Sequence, residues 1–364
     1  MWLILFAVLL ALSIGGIVYL LTRMRRFVFI QRLAAKHRLL SWLVCLLPLA
    51  AVGCFFFVNG FAVIVALLHL FFIWVFCDLI ALAIRKCAKK QRTRYYEGAV
   101  AILLTAAVLG CGWYFAHHVV ETDYQFTTEK ALPDGHLRIG MIADAHIGIT
   151  LSGPDFAGQM QRLQAAEPEI VFAVGDFVDD DTSREDMLAA AEALGSLQAK
   201  YGVYYVFGNH DRGYNQSRDF TAEDLRHAFE QYHVTVLEDE SVRVGGCVSV
   251  TGRRDKGVND RLSMQALTET LEPSDYLIVL DHQPNDYENE AAAGADLVLS
   301  GHTHGGHIWP AGQVGLLMGA NDRIYGTETR GNTTFLVTSG ISGWAIPFKT
   351  GAVSEYVVID VTQQ

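Results

Sequence analysis

The sequence predicts a layered α/β domain preceded by an N-terminal region of four membrane-spanning helices. Three observations carry that expectation. Long apolar stretches dominate the first 119 residues, short Val/Ile/Leu/Tyr runs recur after residue 136, and those runs end on Gly, Asp, Asn or His. Short apolar runs bounded by turn residues suit strands covered on both faces, and in layered α/β proteins ligands gather at the carboxyl ends of strands.

The expected spans are Met1–Thr22, Leu39–Val58, Phe61–Ile84 and Gly98–Val119, each about long enough for a hydrocarbon core. The first lacks the basic start and small-residue cleavage site of a signal peptide. Arg23, Arg25, Arg26, Arg32, Lys36 and Arg38 separate the first two, and Arg85, Lys86, Lys89, Lys90, Arg92 and Arg94 separate the last two. The turn at Asn59-Gly60 carries no charge. The positive-inside rule then places both basic loops in the cytoplasm, and both termini and the following domain outside. Asp78, within two turns of Arg85, is expected to play a structural or snorkelling role.

Domain boundaries follow: residues 1–120 as a membrane domain, 121–136 as a polar connector, and 137–364 as one catalytic domain. Before Val120 there are twelve basic and two acidic residues; beyond Val119 there are sixteen and thirty-seven. A domain that acidic offers no broad nucleic-acid-binding face. Of six cysteines only Cys247 falls within it, so it holds no internal disulfide.

Within the third region the strands are expected at Leu137–Ala143, Glu169–Val174, Gly202–Phe207, Tyr276–Leu280 and Asp296–Leu299, with a helix over Ser183–Tyr201. They deliver Asp144-Ala-His146, Gly175-Asp176-Phe-Val-Asp179, Gly208-Asn209-His210-Asp211, Asp281-His282-Gln283-Pro284 and Gly301-His302-Thr-His304, then Gly305-Gly306-His307. Gly175, Gly208 and Gly301 each precede a candidate ligand, where a sharp turn or close backbone approach is expected. The segments 334–338 and 356–361 read as further strands.

Mixed carboxylate, imidazole and amide ligands suit Mn²⁺, Fe or Zn²⁺, with Mn²⁺ favoured, over Ca²⁺ or a thiolate-bound metal. Seven candidate ligands are too many for one four-coordinate ion and suit two divalent ions sharing a carboxylate. Such a pair clamps a phosphoryl oxygen and activates water, so no protein nucleophile is needed.

These motifs resemble the calcineurin-like metallophosphoesterase family, over roughly Leu137 to Val361, and the layout resembles its transmembrane branch. The resemblance implies a four-layer α/β/β/α sandwich. It also implies that Asp144, His146, Asp176 and His304 bind one metal, and that Asp176, Asn209, His282 and His302 bind the other. His210 would contact the phosphate or protonate the leaving oxygen, with Asp211 orienting it. His307 departs from the branch, which usually has Gln there. A phosphoester substrate is implied, diesters ahead of monoesters, and a membrane setting points to a lipid or envelope component.

Other residues carry blander expectations. Asp179 either holds His146 from behind or caps a helix; Asp180 and Asp181 are helix-start acids. Arg253, Arg254 and Lys256 read as an ordinary basic loop. A non-catalytic sensor would lack a ligand or His210, and neither is missing; a transporter would need polar residues through its spans.

Overall fold

The computed structural model describes residues 2–57, 59–88, 95–214 and 217–364, with side chains from Ala11 onward except Phe55. Met1, Val58, Lys89, Lys90, Arg92 and Arg94, named above for the spans and the second basic loop, lie outside the described residues. The chain forms two compact units, Met1–Gly112 and Trp113–Gln364.

In the first unit the helices are α1 (Trp2–Met24), α2 (Val28–Lys36), α3 (Arg38–Gly53), α4 (Gly60–Ala88) and most of α5 (Glu97–His117). Among the described residues two helices, α4 and α5, are long and apolar enough to cross a membrane, where four had been expected. The difference lies in α1 and α3. Helix α3 has 16 residues, contains Pro48 and gives way to a 3-10 turn at Cys54–Phe57, short of the roughly 20 residues a span requires. For α1, the described apolar part is Ala11–Met24. Arg32 and Lys36 sit on α2 rather than in an open loop.

Asp78 accepts hydrogen bonds from the hydroxyls of Tyr19 (2.7 Å) and Tyr95 (2.9 Å) and pairs with Arg23 at 3.0 Å. Its charge is satisfied and it ties α1 to α4, the structural part expected of it.

The second unit is built on two six-stranded mixed sheets. The strands of the first are β1 (Val120–Thr128), β2 (His136–Ile142), β3 (Ile170–Val174), β4 (Val203–Val206), β5 (Val234–Val236) and, from the far end of the chain, β12 (Glu355–Gln363). The second sheet holds β6 (Glu240–Val244), β7 (Val248–Gly252), β8 (Tyr276–Leu280), β9 (Leu297–Ser300), β10 (Gly326–Arg330) and β11 (Thr333–Val337). Their orders are β1-β12-β2-β3-β4-β5 and β10-β11-β9-β8-β7-β6. The strands that carry the motifs run parallel, β2 with β3 and β4, and β8 with β9. Their site loops therefore emerge at the same end of each sheet.

Three cores define the layers. Ile139, Met141, Phe172 and Val174 of the first sheet meet Val250, Ile278, Leu280 and Leu299 of the second. The first sheet's outer face packs on α6 (Gly153–Ala165), α7 (Arg184–Gly195) and α8 (Ala222–Gln231), through Phe156, Met187, Leu194 and Phe229. The second sheet's outer face packs on α9 (Met264–Thr268) and α10 (Tyr287–Ala292), through Met264, Leu267 and Tyr287. Side chains that alternate across a strand fill a core on each face, which explains the near-continuous apolar runs.

Two local expectations differ from the structure. The expected helix 183–201 ends at Gly195; Ser183 caps its start by accepting from the Asp186 amide. The segment expected as a connector contains strand β1, which pairs in parallel with β12 from Val120↔Glu355 to Thr128↔Gln363. Its polar composition hides a period of two. Val120, Thr122, Tyr124 and Phe126 are half-buried while the residues between them are exposed.

Candidate metal centre

Five strand ends deliver their motifs to one edge. The Asp144 amide donates to the Gly175 carbonyl (3.0 Å) and that of His146 to the Asp176 carbonyl (3.1 Å). The His302 amide donates to both Asp144 carboxylate oxygens, at 2.9 and 3.0 Å, and the His210 amide to Asp176 Oδ1 at 2.8 Å. Backbone amides thus bring the loops together, two of them through carbonyls and two through the Asp144 and Asp176 carboxylates.

The approach is too close for a side chain at certain glycines. A Cβ on Gly208 would stand 2.2 Å from Asp176 Oδ1 and 2.5 Å from the Asp176 amide nitrogen. Gly175 has φ +79°, and its Cβ would meet His282 Nδ1 at 2.5 Å. Strain concentrates on the motif residues too. Asp144 (φ 54°), His146 (36°), Asp176 (53°), His302 (71°), His304 (49°) and His307 (44°) all adopt the left-handed conformation. Each such residue costs about 1–3 kcal/mol, and clusters of them mark functional sites.

Three donor groups result, and one of them, His146, Asp179 and His210, shares His146 with another. Asp144, His146 and His304 offer ligand atoms within 4.8 Å of one another, and so do Asp176, His282 and His302. Asp176 Oδ2 lies 3.0 Å from His282 Nε2 and 3.7 Å from His146 Nε2, so one carboxylate faces both of these groups. His146 Nε2 stands 3.2 Å from His304 Nε2.

The rings are oriented from behind. His282 Nδ1 is 2.8 Å from the Val174 carbonyl and His304 Nδ1 is 3.2 Å from that of Ser342. With Nδ1–H donating there, Nε2 is the ring atom turned to the site in each. Asn209 Nδ2 donates to the Tyr214 hydroxyl at 2.6 Å. Its Oδ1 is buried without a hydrogen-bond partner among the described residues. A bare acceptor beside buried carboxylates fits a divalent cation, and six of the seven expected ligands fall in these donor groups.

Burial shapes the charges. It pushes the Asp144 carboxyl up to about 6 and holds His302 down at about 4. Burial, then the charge of His146, also holds His304 well below the usual histidine range. Neutral imidazole is the ligand form. His210 and His282 move the other way: burial opposes their charge, but the hydrogen bond to Asp179 and nearby carboxylates raise His210, and the Asp176 and Asp144 carboxylates raise His282.

The residue holding His210 is Asp179, not Asp211. Asp179 Oδ1 lies 3.1 Å from His210 Nδ1, and its Oδ2 lies 3.3 Å from His146 Nδ1. Asp211 instead accepts from four amides: Asp176 (2.9 Å), Phe177 (2.8 Å), Val178 (3.2 Å) and Gly208 (2.6 Å). Adjacency in sequence suggested an Asp211–His210 contact, whereas the fold turns Asp211 inward as a clamp between two loops.

Several neighbours were not foreseen. Trp344 places its ring 5.3 Å from that of His210. A Cβ on Gly340 would lie 2.7 Å from Asp144 Cβ. Lys349 is fully buried and donates to the carbonyls of Ser339 (2.6 Å), Gly340 (3.3 Å) and Ser342 (3.4 Å). The signal for this loop was present: Gly340-Ile-Ser follows strand β11 as the other motifs follow theirs. Arg253 is not part of a loose basic loop; it is buried and contacts Asp281 (2.9 Å), Asp286 (2.8 Å) and Glu290 (3.2 Å).

Comparison with known proteins adds the lineage. The model of the calcineurin-like phosphoesterases matches residues 137–306. An uncharacterized metallophosphoesterase of Aquifex aeolicus is 30% identical over 271 residues, covering 71% of this chain and 98% of that one. One from Campylobacter jejuni is 25% identical over 303 residues, 80% of this chain and 78% of its own. A Bos taurus transmembrane protein with a metallophosphoesterase domain is 28% identical over 293 residues, 73% and 62% of the two chains. Matched over the strands that carry the Asp, Asn and His motifs from Asp144 to His304, the chain belongs to the calcineurin-like phosphoesterase family and is a hydrolase of phosphoric esters.

Proposed function

We propose that the chain is a membrane-anchored phosphodiesterase with a two-metal site. Asp144, His146, Asp176 and His304 hold one ion in this reading, and Asp176, Asn209, His282 and His302 the other. The observation that carries it is the meeting of these two donor groups across Asp176. Absence of thiolate and the mix of carboxylate, imidazole and amide oxygen favour Mn²⁺. Bound ions supply Lewis acidity toward phosphoryl oxygens and a hydroxide at neutral pH.

The chain's own residues do the rest. Asp179 engages His210 Nδ1 and supports its charged form, leaving Nε2 to give a proton to the departing alcohol oxygen. Tyr214 and Trp344 flank that ring, at 4.9 and 5.3 Å between centroids, and limit water around it. His210→Gln is expected to keep both ions while slowing turnover by roughly 10²–10⁴, the usual scale for a general acid. Metal content and turnover measured on one preparation check this, and normal turnover would make His210 a bystander.

In the same reading residues 1–120 anchor the chain in several passes, 121–136 connect, and 137–364 catalyse. Arg85 and Lys86 close α4. A cytoplasmic loop between α4 and α5 places the C-terminal end of α5, and the domain that follows, outside the cell.

The test uses the full chain in detergent, stripped of metal and reloaded with Mn²⁺, on a chromogenic phosphodiester and its monoester. Metal-dependent turnover favouring the diester, lost in Asn209→Ala, is expected. Inactivity toward both with two ions bound would overturn the reading.

A further inference from the structure

The site opens beside a surface that water does not suit. Between Asp296 and Asp322 the sequence carries no Asp, Glu, Lys or Arg, although the chain beyond Val119 holds thirty-seven acidic residues. Directly after His307 the backbone runs through Trp309 into α11 (Ala311–Leu317), a helix that buries none of its residues. Leu317 is 88% exposed, Met318 70% and Trp309 62%. Val314 and Leu316 are exposed too. Trp344 extends this surface to the site itself, its ring 5.3 Å from His210 and 6.4 Å from His307.

Single exposed apolar residues are ordinary, but a contiguous, uncharged patch is not. The same chain carries two helices long and apolar enough to cross a membrane. A bilayer is therefore the apolar phase this chain has at hand. Leucine, valine and methionine beside tryptophan, with no charge among them, is the composition of segments that lie in a membrane interface.

We propose that residues 309–318 enter the bilayer surface and that the adjoining site takes the phosphodiester of a membrane phospholipid. This rests on the phosphodiesterase reading above and names its substrate class. Water adds across one P–O bond, its oxygen to phosphorus and a proton to the leaving alcohol oxygen, giving a phosphomonoester and an alcohol.

The experiment uses the full chain in phosphatidylcholine–phosphatidylglycerol liposomes, with the native cysteines replaced and an environment-sensitive fluorophore on Leu317→Cys. Blue-shifted emission that acyl-brominated lipid quenches is expected. Blue-shifted emission without quenching would mean that protein, such as a second copy, covers the patch, and would overturn the proposal, as would water-like emission. A second arm measures turnover of phosphatidylglycerol in the liposomes relative to a water-soluble chromogenic diester. That ratio should fall at least about tenfold when Leu317→Lys and Met318→Lys are combined, because charge is costly in a bilayer. An unchanged ratio would overturn the lipid substrate. No turnover of either ester by the unaltered, metal-loaded chain would instead sink the phosphodiesterase reading, while the emission result would still decide the membrane contact.

Discussion

Asp211→Ala is expected to unfold the second unit or leave it without bound metal, the largest effect of any single truncation near the site. Four backbone amides lose their acceptor at once. Each buried donor left bare costs about 1–3 kcal/mol, and a domain's whole stability is only about 5–15 kcal/mol. Thermal melting and metal content report the outcome. Asp211→Asn keeps one acceptor oxygen and should fall between. Wild-type melting with slowed turnover alone would instead mean that Asp211 serves His210. Asp179→Asn provides the contrast: it should leave melting close to wild type and slow turnover as His210→Gln does.

Asp176→Asn is expected to lower the affinity of both ions together, because the residue facing both donor groups loses its charge. Forfeiting metal stabilisation worth several kcal/mol corresponds to a loss of about 10³ in turnover. Metal stoichiometry after exhaustive dialysis is the decisive readout. Loss of one ion with the other retained would place Asp176 in a single site, and two retained ions with normal activity would remove it from the centre. His282→Ala should behave differently, emptying the Asp176–His282–His302 group while sparing Asp144, His146 and His304.

The strand-and-motif frame was legible because buried strands need apolar side chains on both faces and metals need specific donor atoms. Both demands write directly into sequence. Strand β1 was not read, because its half-buried face uses Thr and Tyr, which pass for a polar linker unless alternation is counted. The partner of His210 was misread for a geometric reason: neighbouring side chains on a tight turn diverge, and a residue 31 positions away, Asp179, supplies the oxygen. Buried charge is the least legible of all. Lys349 and Arg253 look like ordinary surface residues, yet both are buried. Burial pushes the Lys349 amine down to about 7. Sequence states which charges exist, whereas only the fold states which of them leave water. The spans show the converse problem, since hydropathy alone does not reveal that α3 ends at Gly53 and passes into the 3-10 turn at Cys54–Phe57.

The pairing of Val120 with Glu355 also sets a schedule for the ribosome. Strand β12 lies between β1 and β2, so the sheet has a gap until it arrives. At about 5–20 residues per second, β1 leaves the exit tunnel roughly 10–50 s before its partner exists. Throughout that interval the nascent chain presents an unzipped β2 edge to its surroundings. A late premature stop would therefore not merely trim a tail: it would leave β1 without a neighbour and expose the edge of β2, a substrate for chaperones and proteases rather than a shorter enzyme.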